Sequence, residues 1–123
     1  MSGEAVHRAA CLCGAVRFEL RGAPTLTAWC HCNSCRKATG APAAAFVDYA
    51  RDRVALVAGA PVRFASSPGV TRSFCGNCGS TLAFESLAAP DEICIHVGAL
   101  ECPQDFAPVA ASHAAERLPW FPG

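Results

Sequence analysis

Nine cysteines in 123 residues constrain this chain more than any other feature. Seven of them fall in three tight clusters: Cys11-Leu12-Cys13, Cys30-His31-Cys32-Asn33-Ser34-Cys35 and Cys75-Gly76-Asn77-Cys78. Thiols two or three residues apart suit chelation of one ion better than local disulfides. The first and third clusters supply two thiols each, and the middle one supplies three. Two plus two makes a closed tetrahedral set of the kind a structural zinc takes. Three leaves one position open, as a catalytic zinc requires. The expectation is two zinc ions per chain, one structural and one catalytic. All-thiolate donor sets favour zinc over magnesium or calcium and leave iron open.

The remaining composition narrows the class. The cysteine count is odd, and Met1–Arg8 has no charged segment followed by a long apolar stretch, so reduced thiols in the cytoplasm are expected rather than a secreted disulfide framework. Ten basic and ten acidic residues balance, leaving no basic excess to neutralise a phosphate backbone, so no nucleic-acid partner is expected. No apolar run approaches the roughly 18 residues of a membrane helix, so a soluble chain with no membrane partner is expected. The length suits a single domain over residues 1–123 with a modest core.

No long helical period is present. Short β-rich segments recur between Gly, Pro, Asn and Ser, which predicts an all-β chain. The expected strands are Ala15–Leu20, Leu26–Cys30, Ala43–Tyr49, Val54–Val57, Val62–Ser66, Thr71–Phe74, Thr81–Phe84 and Ile93–Val97. One short helix is expected over Ser34–Thr39, capped by Asn33 or Ser34 and ended by Gly40. The proline-bearing tail excludes long regular structure.

Cys11 and Cys13, two apart, would share one face of an extended segment. Cys75-Gly76-Asn77-Cys78 reads as a knuckle whose Gly and Asn permit a tight turn. Together they make the structural four-cysteine site, a staple between the N-terminal strand and a central hairpin. In the middle cluster, Cys35 falls in the first turn of the helix, where free N–H groups and the neighbouring Arg36 and Lys37 would favour a thiolate. The spacing alone leaves two readings equal here. One is an open catalytic site. The other is a second structural zinc completed by His31, Cys94, His96 or Cys102. Cys94 and His96 share a strand face and read first as a buried thiol beside a satisfied imidazole. Cys102, His7 and His113 read as bystanders.

Three strings, Cys11-Leu-Cys-Gly-Ala-Val-Arg-Phe18, Cys30-His-Cys-Asn-Ser-Cys-Arg-Lys-Ala-Thr-Gly40 and Phe74-Cys-Gly-Asn-Cys-Gly-Ser80, resemble the glutathione-dependent formaldehyde-activating enzyme (Gfa) family, which also includes centromere protein V. Ser66-Ser-Pro-Gly69, Val97-Gly-Ala-Leu100 and Arg117-Leu-Pro-Trp120 fit it too. The resemblance implies a β-tent of several small antiparallel sheets. It also implies a structural zinc on Cys11, Cys13, Cys75 and Cys78, and a catalytic zinc on Cys30, Cys32 and Cys35. The implied activity is a carbon–sulfur lyase acting on a small thiol adduct such as S-hydroxymethylglutathione, with Arg36 and Lys37 meeting substrate carboxylates. One departure is local: Ala111-Ser-His113 stands where the family often carries His-Ile-Trp. Two other classes remain as rivals: a non-catalytic zinc module that binds a protein, and a thiol redox or metal-buffering protein.

Overall fold

The computed structural model describes residues 4–122. Their elements in chain order are β1 (Val6–Ala10), β2 (Arg17–Arg21), β3 (Leu26–Cys30), α1 (Asn33–Thr39), β4 (Ala44–Ala50), β5 (Val54–Ala58), β6 (Val62–Ser67), β7 (Val70–Phe74), β8 (Thr81–Ser86), β9 (Glu92–His96) and β10 (Ala110–Ser112), with short 3-10 turns between some of them. Each of the eight expected strands is present, its ends shifted by no more than two residues. Two strands escaped the sequence reading. Strand β1, Val-His-Arg-Ala-Ala, carries little β-forming character and exists because it pairs antiparallel with β2. Strand β10, Ala-Ala-Ser, is exposed throughout and is held by parallel pairing to β3. Neither has side chains that would announce a strand.

The strands form two sheets. The smaller has the order β1-β2-β5, and the larger β10-β3-β4-β9-β8-β7-β6. Period-two alternation sorts the side chains of the larger sheet onto two faces. On one face Val47, Ile95 and Ala83 stand opposite one another across β4, β9 and β8. They are fully or almost fully buried. The smaller sheet adds Ala9, Phe18 and Leu20 to this main core. Strand β2 shows the pattern plainly, with Phe18 and Leu20 buried between exposed Arg17 and Arg21.

The opposite face of the larger sheet carries the chemistry. Paired residues run in one row from Leu26 through Asp48, Cys94, Phe84 and Arg72 to Phe64, crossing six strands. Helix α1 lies against this face, and its buried Cys35 packs with Cys30, Ala44 and Phe46. The helix begins one residue earlier than expected, and its cap is neither Asn33 nor Ser34. Cys32 caps it, its sulfur accepting the Cys35 N–H at 3.2 Å. Gly40 ends the helix at φ 72°, as expected, donating its N–H to the Arg36 carbonyl.

The chain after β10 folds back along β3 and α1. Asn33 N–H donates to the Glu116 carboxylate at 3.1 Å, and Arg36 donates to the carbonyls of His31 and Glu116 at 2.6 and 2.8 Å. Phe121 meets the rings of Trp29 and His31 edge-on at 5.2 and 4.8 Å. No helix among the described residues is long and apolar enough to cross a membrane.

Candidate metal centres

The turn between β1 and β2 brings Cys11 and Cys13 to the β7–β8 turn, which carries Cys75 and Cys78. The first pair sits in a tight turn and not in the extended segment that the spacing suggested. Gly14, at φ 80°, donates back to the Cys11 carbonyl at 3.0 Å and turns the chain there. All four sulfurs lie within 4.8 Å of one another. Two of the separations are 3.6 Å (Cys11 to Cys13) and 3.8 Å (Cys13 to Cys75). Zinc–sulfur bonds of about 2.3 Å in a tetrahedron place sulfurs about 3.8 Å apart, so this set fits zinc.

Hydrogen-bond donors from the two turns surround the four sulfurs. Main-chain N–H groups of Val16, Asn77 and Cys78 and the Asn77 side-chain amide donate to Cys11, Cys75 and Cys13 sulfurs at 3.2 to 3.4 Å. Ser80 bridges the two turns. Its hydroxyl accepts the Leu12 N–H at 2.9 Å and lies 3.2 Å from the Cys78 sulfur. That contact, with main-chain donors, holds the Cys78 thiol down to about 5. The Val16 N–H lowers Cys11 in the same way. Each cysteine pair closes a hairpin of a different sheet, so an ion here ties the small sheet to the large one.

The second group is Cys30, Cys32 and Cys35, whose sulfurs also lie within 4.8 Å of one another. Cys30 ends β3, Cys32 caps α1, and Cys35 turns inward from the first helical turn. The Cys30 and Cys32 sulfurs are 3.4 Å apart, again a spacing that one ion can bridge. Cys35 acts as donor to Cys30 and, with the Cys32 N–H, holds the Cys30 thiol down to about 4. Cys35 is pushed up for the same reason and by burial. The free helix-end N–H therefore serves Cys32, not Cys35 as the sequence suggested.

None of the four residues expected as a fourth ligand joins the three thiols. His31 is buried against Phe121, and its Nδ1 has no partner. His96 is buried beside Phe46 with Nε2 unpartnered, so the expected satisfied imidazole is absent. Burial and the nearby Arg72 lower its pKa to about 4, which keeps the ring neutral. Cys102 is exposed on a distant turn. Cys94 comes nearest in position, since it lines the same pocket.

That pocket has a volume of about 240 Å³ and opens beside the three thiols. Leu26, Phe46 and Phe84 make its walls apolar, and Asp48, Cys94 and Arg72 bring polar atoms to it. Arg72 is 7% exposed. Its Nη2 reaches the Cys35 sulfur at 3.7 Å, and its guanidinium lies 5.0 Å from the centre of the Phe84 ring. It is in no ion pair among the described residues. The Cys35 sulfur is thus the polar group that its guanidinium meets. Arg36 spends its guanidinium on the carbonyls of His31 and Glu116, and Lys37 is exposed; neither lines this pocket. The cation that meets the thiols is Arg72. Its signal in the sequence was a charged residue at the inward position of a strand, between Val70 and Phe74. His113, read as a bystander, stands at the pocket as well, with φ 52° and its Nδ1 3.4 Å from Glu116.

The family model for glutathione-dependent formaldehyde-activating enzymes matches residues 6–116. The chain belongs to this family. The match spans both cysteine groups and every strand described above. No curated protein matches the sequence. A crystal structure of a Rhodobacter sphaeroides protein, a structural-genomics target, resembles this chain with a TM-score of 0.69 at 24% identity, covering 85% of this chain and 99% of its own. That likeness shows a shared fold. The Gfa-family assignment and the two thiol groups agree on a protein built to hold zinc.

Proposed function

We propose that this Gfa-family chain is a carbon–sulfur lyase that makes and breaks the adduct between a small thiol, such as glutathione, and formaldehyde. The observation that carries the reading is the contrast between the two thiol groups. Four sulfurs close around one point between two hairpins, whereas three converge at the edge of a pocket. A zinc ion held by Cys30, Cys32 and Cys35 would supply a Lewis acid with an exchangeable position for the substrate sulfur.

The chain's own residues supply the rest. Leu26, Phe46 and Phe84 exclude water from the pocket and hold the substrate stem. Arg72 offsets the negative charge of the three sulfurs from below, where no carboxylate competes for it. Cys94 stays protonated, because burial first and the nearby Asp48 second push its thiol up. It therefore does not compete as a nucleophile. In the condensation, one carbon–sulfur bond forms, the thiol proton ends on the former carbonyl oxygen, and no atom changes oxidation state by an external electron. The reverse breaks the same bond, with its pair returning to sulfur. The chelating spacing of seven cysteines suits thiols kept reduced, which supports a reducing compartment such as the cytoplasm.

The test is exchange spectroscopy on glutathione and ¹³C-formaldehyde with zinc-loaded protein. Faster interconversion of free and adduct signals than in buffer is the expected result, lost in Cys32→Ser. An unchanged exchange rate with fully loaded protein would refute the lyase reading.

A further inference from the structure

We propose that Asp48 anchors a primary ammonium group of the thiol substrate, at the end of the pocket away from the three cysteines. This rests on the lyase reading and specifies the class of thiol that the pocket takes. Asp48 and the three thiols line one pocket. Asp48 faces the chemistry because it pairs with Leu26 on one side and Cys94 on the other, in the row that faces α1. It is half-buried, yet it belongs to none of the ion pairs among the described residues. Its carboxylate meets the Cys94 thiol, a weak donor. Arg72, the buried cation of this face, is drawn instead to Cys35 and Phe84. A half-buried carboxylate without a counter-ion, beside a substrate pocket, has room for a charge-assisted bond to a ligand cation.

The Cys94 thiol has Asp48 and Glu92 as negative neighbours.

Register also sets a length. Cys30 stands opposite Ala44, and Asp48 lies four residues further along β4. At about 3.4 Å per residue those strand positions are about 14 Å apart. Side chains leaning toward each other and the two zinc–sulfur bonds shorten the gap, and an arm between sulfur and ammonium spans what remains. The fitting class is a thiol whose ammonium is separated from sulfur by an extended arm. The γ-glutamyl arm of glutathione has that form.

The test compares binding of glutathione and N-acetylglutathione to the zinc-loaded protein, followed by amide chemical shifts, in wild type and Asp48→Asn. Acetylation removes the charge and keeps the thiol, so the wild-type comparison stands even if the variant folds poorly. Acetylation should weaken binding roughly tenfold to a hundredfold in wild type and little in Asp48→Asn. An equal cost in both proteins, or none in wild type, overturns the role of Asp48 while leaving thiol binding intact. Failure of both thiols to shift the signals of Cys30, Cys32 and Cys35 in protein carrying two zincs overturns the thiol-lyase reading, and this inference with it.

Discussion

Two glycines allow the staple between the sheets to be tested without touching a metal ligand. Gly40 and Gly59 both sit in the left-handed region, at φ 72° and 77°. At Gly40 a Cβ would meet nothing within 4 Å, whereas at Gly59 it would stand 2.3 Å from the Ala15 carbonyl oxygen. Gly40→Ala should therefore carry only the conformational cost, about 1–2 kcal/mol. Gly59→Ala carries the same cost and also forces the main chain of residues 15 and 59 about 1 Å apart, adding about 1–3 kcal/mol. Ala15 belongs to the turn that presents Cys11 and Cys13, so the displacement falls on the four-sulfur set. Urea unfolding with zinc in excess should place Gly59→Ala below Gly40→Ala by at least about 1 kcal/mol. Chelator competition should show faster loss of one zinc in Gly59→Ala alone. Equal stability and equal zinc retention in the two variants would refute the packing of the 59 turn against the cysteine turn.

Ser80→Ala removes the bridge between Leu12 and Cys78, and should weaken zinc at the four-cysteine site about tenfold to a hundredfold in a chelator titration. Cys94→Ala should leave zinc content unchanged by elemental analysis, because its sulfur lies outside both ligand groups. Glu85, nearly buried, accepts from Arg51 at 2.7 Å and Arg63 at 2.8 Å. Burial alone would raise its pKa, but the two arginines outweigh it and hold the carboxyl below the usual range. That stability is fully present above the unfolded pKa near 4.3 and fades as pH falls through the folded value. Glu85→Gln should thus cost about 1–2 kcal/mol at pH 7, and its deficit against wild type should shrink as the carboxylate is protonated in acid, read by urea unfolding.

The sequence read well wherever one residue type decided the geometry. Cysteine spacing picked out the two groups of sulfurs that converge, because thiols so close along the chain have few other uses. Short β-rich segments set between turn residues located the eight strands, β5 and β6 among them although their side chains are mostly exposed. That signal failed for β1 and β10, which borrow their order from partners. It also failed for the polar side of the site. Arg72 and Asp48 lie well away from Cys30, Cys32 and Cys35 in sequence, and only the pairing of β3, β4, β9, β8 and β7 sets them in one row with Cys94. Arg36 and Lys37 drew attention through adjacency to Cys35, yet a helix sends neighbouring side chains in different directions, toward the tail and into solvent. The helix cap was missed because cysteine is an uncommon cap. Here its sulfur is fixed by the ligand group and takes the first free N–H.

The account stands on a division of labour between the two thiol groups, and zinc stoichiometry tests it most directly. Metal content per chain should be measured on wild type, Cys32→Ser and Cys75→Ser, each alongside an amide spectrum. Two zincs are predicted in wild type, and one in a still-folded Cys32→Ser. Cys75→Ser should lose the fold, since a structural zinc contributes roughly 10–16 kcal/mol against a domain stability of about 5–15. A folded Cys75→Ser, or equal unfolding of both variants, would contradict the division.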